Sequence, residues 1–298
     1  MIDSLAFALD LPASSPDFWL PLVFMALFFL VVLAGVVLDG FDIGVGCLSV
    51  FAPTALKPRM LSLLSPWRDA NEFWLFLGMG LFMAAFPRAW GRIMGELYLP
   101  VTLLAVGTML RSVGFELRLR APREQQPYWM RLFGLGALLT ALSHGMLLAQ
   151  VALSYRADEG QVWFTAFTAA CSLAAYGLLG AAWLIMREGG ELRARAVFWG
   201  RRCVRWAAAG AVGVSVVLAL GNPGIFLKWG ASGVGSAVIA LWFCMLAAFI
   251  CIEICLQRMI NTSYRNTVLP FVMTLLIFVM TFGGLAYSFF PYLVLDEL

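Results

Sequence analysis

Two carboxylates three residues apart, Asp39 and Asp42, close an apolar run in the segment Leu38-Asp39-Gly40-Phe41-Asp42-Ile43-Gly44-Val45-Gly46. An acid at the centre of a membrane helix costs about 2.5–3.5 kcal/mol on insertion scales, so a pair of them calls for a use. The same spacing recurs in Arg68-Asp69-Ala70-Asn71-Glu72, and Arg111, Glu116 and Arg118 make a third polar group. On a continuous helix, i,i+3 spacing puts both acids of a pair on one face. Such a set can hold protons, bind a cation between Asp39, Asp42 and Asp69, or clamp together the helices that carry it. Taken singly, each cluster also has a plain reading as caps, topology charges or ion pairs across a helical hairpin. Gly40, Gly44 and Gly46 permit either close helix approach or an irregular backbone.

The elements that must position these residues are membrane helices. Hydrophobic residues make up 62% of the 298, charged residues 12%, and the mean hydropathy is +0.89; soluble domains run at roughly 25% charged. Eight apolar runs approach the length needed to cross about 30 Å of hydrocarbon. They are Phe18–Leu38, Phe73–Ala89, Leu97–Leu110, Leu132–Leu153, Val162–Met186, Trp206–Leu220, Ala231–Leu256 and Val268–Leu295, the third continuing past Arg111 through Phe115. Sixteen of the 20 Lys and Arg fall on alternate connecting segments, which the positive-inside rule places in the cytoplasm, with both termini periplasmic. The expectation is an all-α, polytopic bundle of about eight transmembrane helices, residues 1–298 forming one transmembrane domain. Within it, the polar signatures lie on residues 18–118, and the remaining helices on residues 132–295. Met1–Asp17 holds three Asp and no Lys or Arg, the wrong sign for a secretory leader, so the first run reads as retained.

A net charge of +3, dispersed between apolar runs, gives nucleic-acid binding no support. The six cysteines include no CxxC spacing and read as small buried hydrophobes. The single histidine, His144, lies mid-run and reads as a hydrogen-bonded interior residue, with lone haem ligation or proton transfer as the sharper alternatives. Residues 187–205 carry Arg187, Arg193, Arg195, Arg201, Arg202 and Arg205, a topology signal and a grip on anionic membrane lipid. Trp90, Tyr98, Trp163, Trp229 and Tyr292 read as interfacial anchors. Gln150 and Glu253 lie near run ends, and Glu253 either joins the acidic cluster or reaches water.

The Leu38–Gly46 segment resembles the signature ending the first helix of subunit II of cytochrome bd-type quinol oxidases. So do Asp69-Ala70-Asn71-Glu72-Phe73-Trp74-Leu75 with Leu81-Phe82-Met83-Ala84-Ala85-Phe86-Pro87, and Arg111-Ser112-Val113-Gly114-Phe115-Glu116-Leu117-Arg118. Beyond Arg118 the likeness is mainly hydropathic, with echoes at Gly190-Glu191-Leu192 and Phe290-Pro291. The resemblance implies a non-haem subunit of an oxidoreductase in the bacterial inner membrane. Haem b and haem d would be on a partner, subunit I, that oxidises quinol and reduces dioxygen to water. It also implies the subunit interface, quinone binding, proton or oxygen access, and small single-helix accessory subunits. Carried onto this sequence, Asp39, Asp42, Asp69 and Glu72 become polar-path or cation-site candidates with Asn71 and Trp74 as near neighbours, and Arg68, Arg111 and Glu116 complete the candidate polar cluster. Three departures stand out. Arg68 replaces a common Trp and is placed to neutralise Asp69, Ala70 replaces a common Gly, and the runs are one crossing fewer than the family pattern. The same carboxylates fit a small transporter or channel with an acid-lined cation or proton site. A third reading is a catalytically silent paralogue serving assembly.

Overall fold

A computed structural model of the chain describes residues 12, 14–64, 66–153, 159–231, 235–261 and 266–290, and among these every regular element is a helix. In chain order they are α1 (Pro16–Phe51), α2 (Lys57–Ser62), α3 (Arg68–Ala85), α4 (Pro87–Glu96), α5 (Tyr98–Arg120) and α6 (Gln126–Ala152). Then follow α7 (Glu159–Arg187), α8 (Gly190–Gly221), α9 (Pro223–Gly230), α10 (Gly235–Asn261) and α11 (Leu269–Phe289). Seven of them, α1, α5, α6, α7, α8, α10 and α11, are long and apolar enough to cross a membrane. This is a multi-pass membrane protein.

The eighth expected crossing, Phe73–Ala89, corresponds to α3, and it falls short of the other seven for a physical reason. Its N-terminal end carries Arg68, Asp69 and Glu72, and Pro87 opens a new short helix just after the Phe86 cap that ends it. Eighteen residues span only about 27 Å at 1.5 Å per residue. It nevertheless lies along α1, with Trp74 against Gly35 and Gly78 beside Val31 and Val32.

Two boundaries differ from the apolar pattern. The first helix does not stop at Leu38. No proline intervenes between Pro21 and Pro53, and α1 continues through both acids to Phe51. At the other end of the chain, α8 begins at Gly190, well before the apolar run at Trp206, because arginine is a good helix former. Its basic residues therefore sit on helix rather than in a loop. Gly190, at φ +59°, makes the left-handed step that lets α7 turn into α8. The last expected run reached Leu295, but Pro291, Tyr292 and the residues after them lie outside the described residues.

Small residues set the packing. A Cβ on Gly44 would stand 2.0 Å from the Tyr176 carbonyl oxygen, and one on Gly180 2.4 Å from the Gly44 carbonyl carbon, so α1 and α7 cross backbone to backbone. The glycines of the first signature thus serve close approach within an unbroken helix. Phe41 stacks on Trp183 at 4.3 Å just beside this crossing. On α5 and α6, Gly107, Gly114 and Gly136 play the same part; a Cβ on Gly136 would lie 2.5 Å from the Arg111 nitrogen. This approach carries Arg111 into the interior.

One half-buried contact closes the far end of the bundle. Lys228 of α9 donates from Nζ to the carbonyls of Tyr287 and Phe290, at 2.5 and 2.7 Å, and so satisfies acceptors that the end of α11 leaves open. Burial pushes its ammonium below the ordinary lysine range. Lys228→Met is expected to fray the last turn of α11, raising amide exchange at Phe289 and Phe290 on the order of tenfold. Unchanged exchange there would show that the clamp contributes nothing.

Candidate functional site

The three polar clusters meet in one place, formed by α1, α3 and α5. Asp39 and Asp42 project from the same face of α1 and are 4% and 0% exposed. Arg111 enters from α5, fully buried, and its Nη1 and Nη2 donate to the two Asp39 oxygens at 2.7 Å each. This is the bidentate fork that a guanidinium offers a carboxylate and an ammonium cannot. Arg111 Nη2 also lies 3.1 Å from Glu72 Oε1.

Glu72 ties the cluster to α3. Its Oε1 accepts from Arg68 Nη1 at 2.7 Å, and its Oε2 accepts from the Ser112 hydroxyl at 2.7 Å. Asn71, on the preceding residue, donates from Nδ2 to Asp42 Oδ2 at 2.9 Å. Arg68, itself 3% exposed, donates from Nη2 to Asp69 Oδ1 at 2.5 Å and stands over the Phe115 ring. The Asp69 side chain is 82% exposed. Glu116 lies at the rim, 3.8 Å from Arg68 and 3.3 Å from Arg120. The result is a polar thread from exposed Asp69 through Arg68 and Glu72 to Arg111, Asp39 and Asp42.

Asp39, Asp42, Arg68, Asp69, Asn71, Glu72, Arg111 and Glu116 therefore all belong to this thread or its rim. The expectation that Arg68 pairs with Asp69 is matched by the contact. Where a cation would sit between Asp39 and Asp42, the Arg111 guanidinium occupies one acid and Asn71 the other, while Asp69 is held away by Arg68. No group of three or more His, Cys, Asp or Glu among the described residues is arranged to hold a metal ion. Glu253 neither joins the cluster nor stands alone, since it takes Arg201 and Arg205 of α8. Gln150 accepts from Gln161 Nε2 at 2.7 Å.

Two features escaped the sequence. Ser112 links Arg68 to Glu72, and only its place beside Arg111 on a helix hinted at it. The second feature is a cavity of about 880 Å³ alongside the cluster, lined mainly by apolar side chains with Asp39, Trp74, His144, Thr168 and Tyr176 in its wall. Trp74 thus shares the cavity wall with Asp39. His144 packs against Tyr176 with ring centroids 5.4 Å apart. The buried His144 Nδ1 and Thr168 Oγ1 have no hydrogen-bond partner among the described residues, so the hydrogen bond expected of His144 is not made through Nδ1.

Known proteins resemble this chain in sequence and in fold. The family described as cytochrome bd terminal oxidase subunit II matches residues 20–298. The chain is 34% identical over 149 residues to "Cytochrome bd ubiquinol oxidase subunit 2" of Bacillus subtilis (strain 168), covering 45% of this chain and 42% of that one. It is 27% identical over 181 residues to "Cytochrome bd-I ubiquinol oxidase subunit 2" of Escherichia coli (strain K12), covering 53% and 46%. The match therefore spans somewhat less than half the length of these curated relatives. The fold is similar to a chain in the structure of bd oxidase from Geobacillus thermodenitrificans, with TM-score 0.76, 15% identity, and coverage of 94% of this chain and 87% of that one.

Proposed function

Because the chain belongs to the family of cytochrome bd terminal oxidase subunit II, we propose that it is the non-haem subunit of a bd-type quinol oxidase. In this reading it sits in a bacterial cytoplasmic membrane beside a haem-bearing subunit I that oxidises quinol and reduces dioxygen to water. The observation that carries the reading is the family match across residues 20–298 in a chain with one histidine. Haem iron is held mostly by histidine, with Met, Cys or Tyr in particular classes, and one imidazole does not fit a multi-haem complement. The haems b and d of the complex are therefore assigned to the partner. Expressed alone, this chain is expected to show no stoichiometric b- or d-type haem spectrum, and with subunit I to co-purify in fixed ratio. Both haems in this chain alone would overturn the division of labour.

The cavity supports a second part of the proposal, a bound quinone. A largely apolar space of about 880 Å³ with a few polar groups is the ordinary form of a small-molecule site. Asp39, Trp74, His144, Thr168 and Tyr176 are wall residues that carry polar groups toward a quinone head, and the apolar lining would take the body. A quinone supplies two-electron redox chemistry when bound; the chain's own residues would orient it and exclude water.

The carboxylates Asp69, Glu72, Asp42 and Asp39 support a proton route ending at this cavity, with Arg68 and Arg111 holding them in place rather than passing protons. Asp69 faces solvent, Asp39 reaches the cavity wall, and Asp42 is the carboxylate here whose contact is an amide rather than a guanidinium. Asp42→Asn keeps the shape and removes an exchangeable proton. Turnover is then expected to fall on the order of a hundredfold, the lower end of what a positioned proton carrier contributes, with assembly intact. Asp69→Asn is expected to slow turnover less, because water reaches its neighbours. Unchanged turnover in an assembled variant would remove that residue from the route. The cation-transport alternative is not favoured, since Arg111 and Arg68 already pair with acids that would hold a cation and the chain belongs to an oxidase subunit family.

A further inference from the structure

Away from this cluster, cations are densest on the first half of α8. Glu253 of α10 accepts from Arg201 Nη2 at 3.2 Å and Arg205 Nη2 at 3.0 Å through the same oxygen, Oε1. Arg202 lies over the Phe198 ring at 4.4 Å and has no acidic partner among the described residues. Among the described residues, two of the three guanidiniums thus share one carboxylate while the third has none, and two positive charges are left over.

The spacing of the exposed residues gives this patch a direction. Phe198, Arg202, Arg205, Ala209, Val212 and Val216 recur at i, i+3 or i+4 and are all exposed, so they form one outward stripe. The stripe is basic for one turn and then wholly apolar along the rest of a membrane-spanning helix. On neighbouring α10, Ile250, Leu246 and Phe243 extend the apolar surface outward from the level of Glu253.

We propose that Arg202 and Arg205, with Arg201 braced beside them by Glu253, bind the phosphate of an anionic membrane phospholipid whose acyl chain lies along Ala209, Val212 and Val216. A planar guanidinium fork matches a phosphate's oxygens. The apolar track directly below selects a phosphate that carries a hydrocarbon chain over a free one. A topology signal alone has no need of register, whereas here two arginines share a stripe with the valines. The site does not depend on the oxidase reading.

The test uses the assembled complex, delipidated in mild detergent and titrated with phosphatidylglycerol while thermal unfolding is followed. Each arginine near an anionic headgroup is worth on the order of fivefold in affinity, so Arg202→Gln with Arg205→Gln is expected to weaken binding about thirtyfold. Arg195→Gln, whose parent side chain is paired with Glu191, serves as control and is expected to match the parent. Inorganic phosphate at equal concentration is expected to give no stabilisation. Equal lipid affinity in the double variant overturns the proposal, as does full replacement of the lipid by phosphate. So does weaker association with a partner chain at unchanged lipid affinity, which would make the occupant a protein. Should that double variant fail to assemble, Arg202→Lys with Arg205→Lys is read instead. It keeps both charges without the fork, a severalfold loss is expected, and unchanged affinity overturns the proposal.

Discussion

Arg111→Met is expected to destabilise the chain by about 3–5 kcal/mol, the range for breaking a buried ion pair from one side, and to remove most folded subunit from the membrane. Arg111 is fully buried, and its two terminal nitrogens hold both Asp39 oxygens. Without it Asp39 is left as a buried carboxylate with its partner removed. Arg111→Lys is expected to lie between, at a cost of about 1.5–3 kcal/mol, because one ammonium replaces a two-pronged contact to a charged group. The informative variant is the double one, Asp39→Leu with Arg111→Met. Replacing a buried pair by apolar residues of similar size is often neutral, and Glu72 retains Arg68 and Ser112. Most of the lost stability should therefore return, a coupling that neither single variant reveals. Thermal unfolding of the three variants in detergent reads this out. A single Arg111→Met variant melting with the parent would show that the pair is not what holds α1 to α5. A stable double variant with slow quinol turnover would locate the function of the thread in its charge rather than its packing.

How much of this was open to reading in the sequence depends on the distance over which each contact is decided. The Arg68–Glu72 pair is one helical turn, and the shared face of Asp39 and Asp42 follows from i,i+3 spacing once the helix is known to continue. That three clusters meet at one depth follows from the order of apolar runs. The partner of Asp39 is a different matter. Arg111 is 72 residues away, and it faces inward because Gly107, Gly114 and Gly136 let α5 press onto α6. Several arginines had the right charge, and only the packing selects among them. Helix ends were hidden for a related reason. Hydropathy marks where a chain becomes polar, whereas the backbone follows propensity and proline, so α1 runs on past Asp39 and α8 begins before its apolar run. Glu253 finds Arg201 and Arg205 only because that early start puts both on helix beside α10. The cavity leaves no mark at all along the chain, since it is the space left between helices far apart in sequence.

Gly44→Ala is expected to be the most disruptive single-methyl change in the protein. The added carbon would stand 2.0 Å from the Tyr176 oxygen, 2.7 Å from the Gly180 nitrogen and 2.9 Å from the Gly180 Cα. All three are backbone atoms of α7, so no side chain can rotate away and the helices must part. Overpacking commonly costs about 1–3 kcal/mol and more where nothing yields. Parting α1 from α7 also loosens the Phe41–Trp183 stack beside the crossing and the buried Ile43, Val45 and Leu179 around it. Gly180→Ala meets the same contact from the other side, at 2.4 Å from the Gly44 carbonyl carbon and the Val45 nitrogen. Once either methyl has pushed the helices apart the second finds room, so the double variant should cost less than the sum. Gly80→Ala is the control: nothing lies within 4 Å of its Cβ position on α3, and it is expected to be neutral or stabilising by about 0.5–1 kcal/mol through helix propensity. Folded yield and thermal unfolding of the four variants separate the outcomes. If Gly44→Ala assembles and melts like Gly80→Ala, the backbone crossing does not position Asp39 and Asp42, and their placement must come from the Arg111 and Asn71 contacts alone.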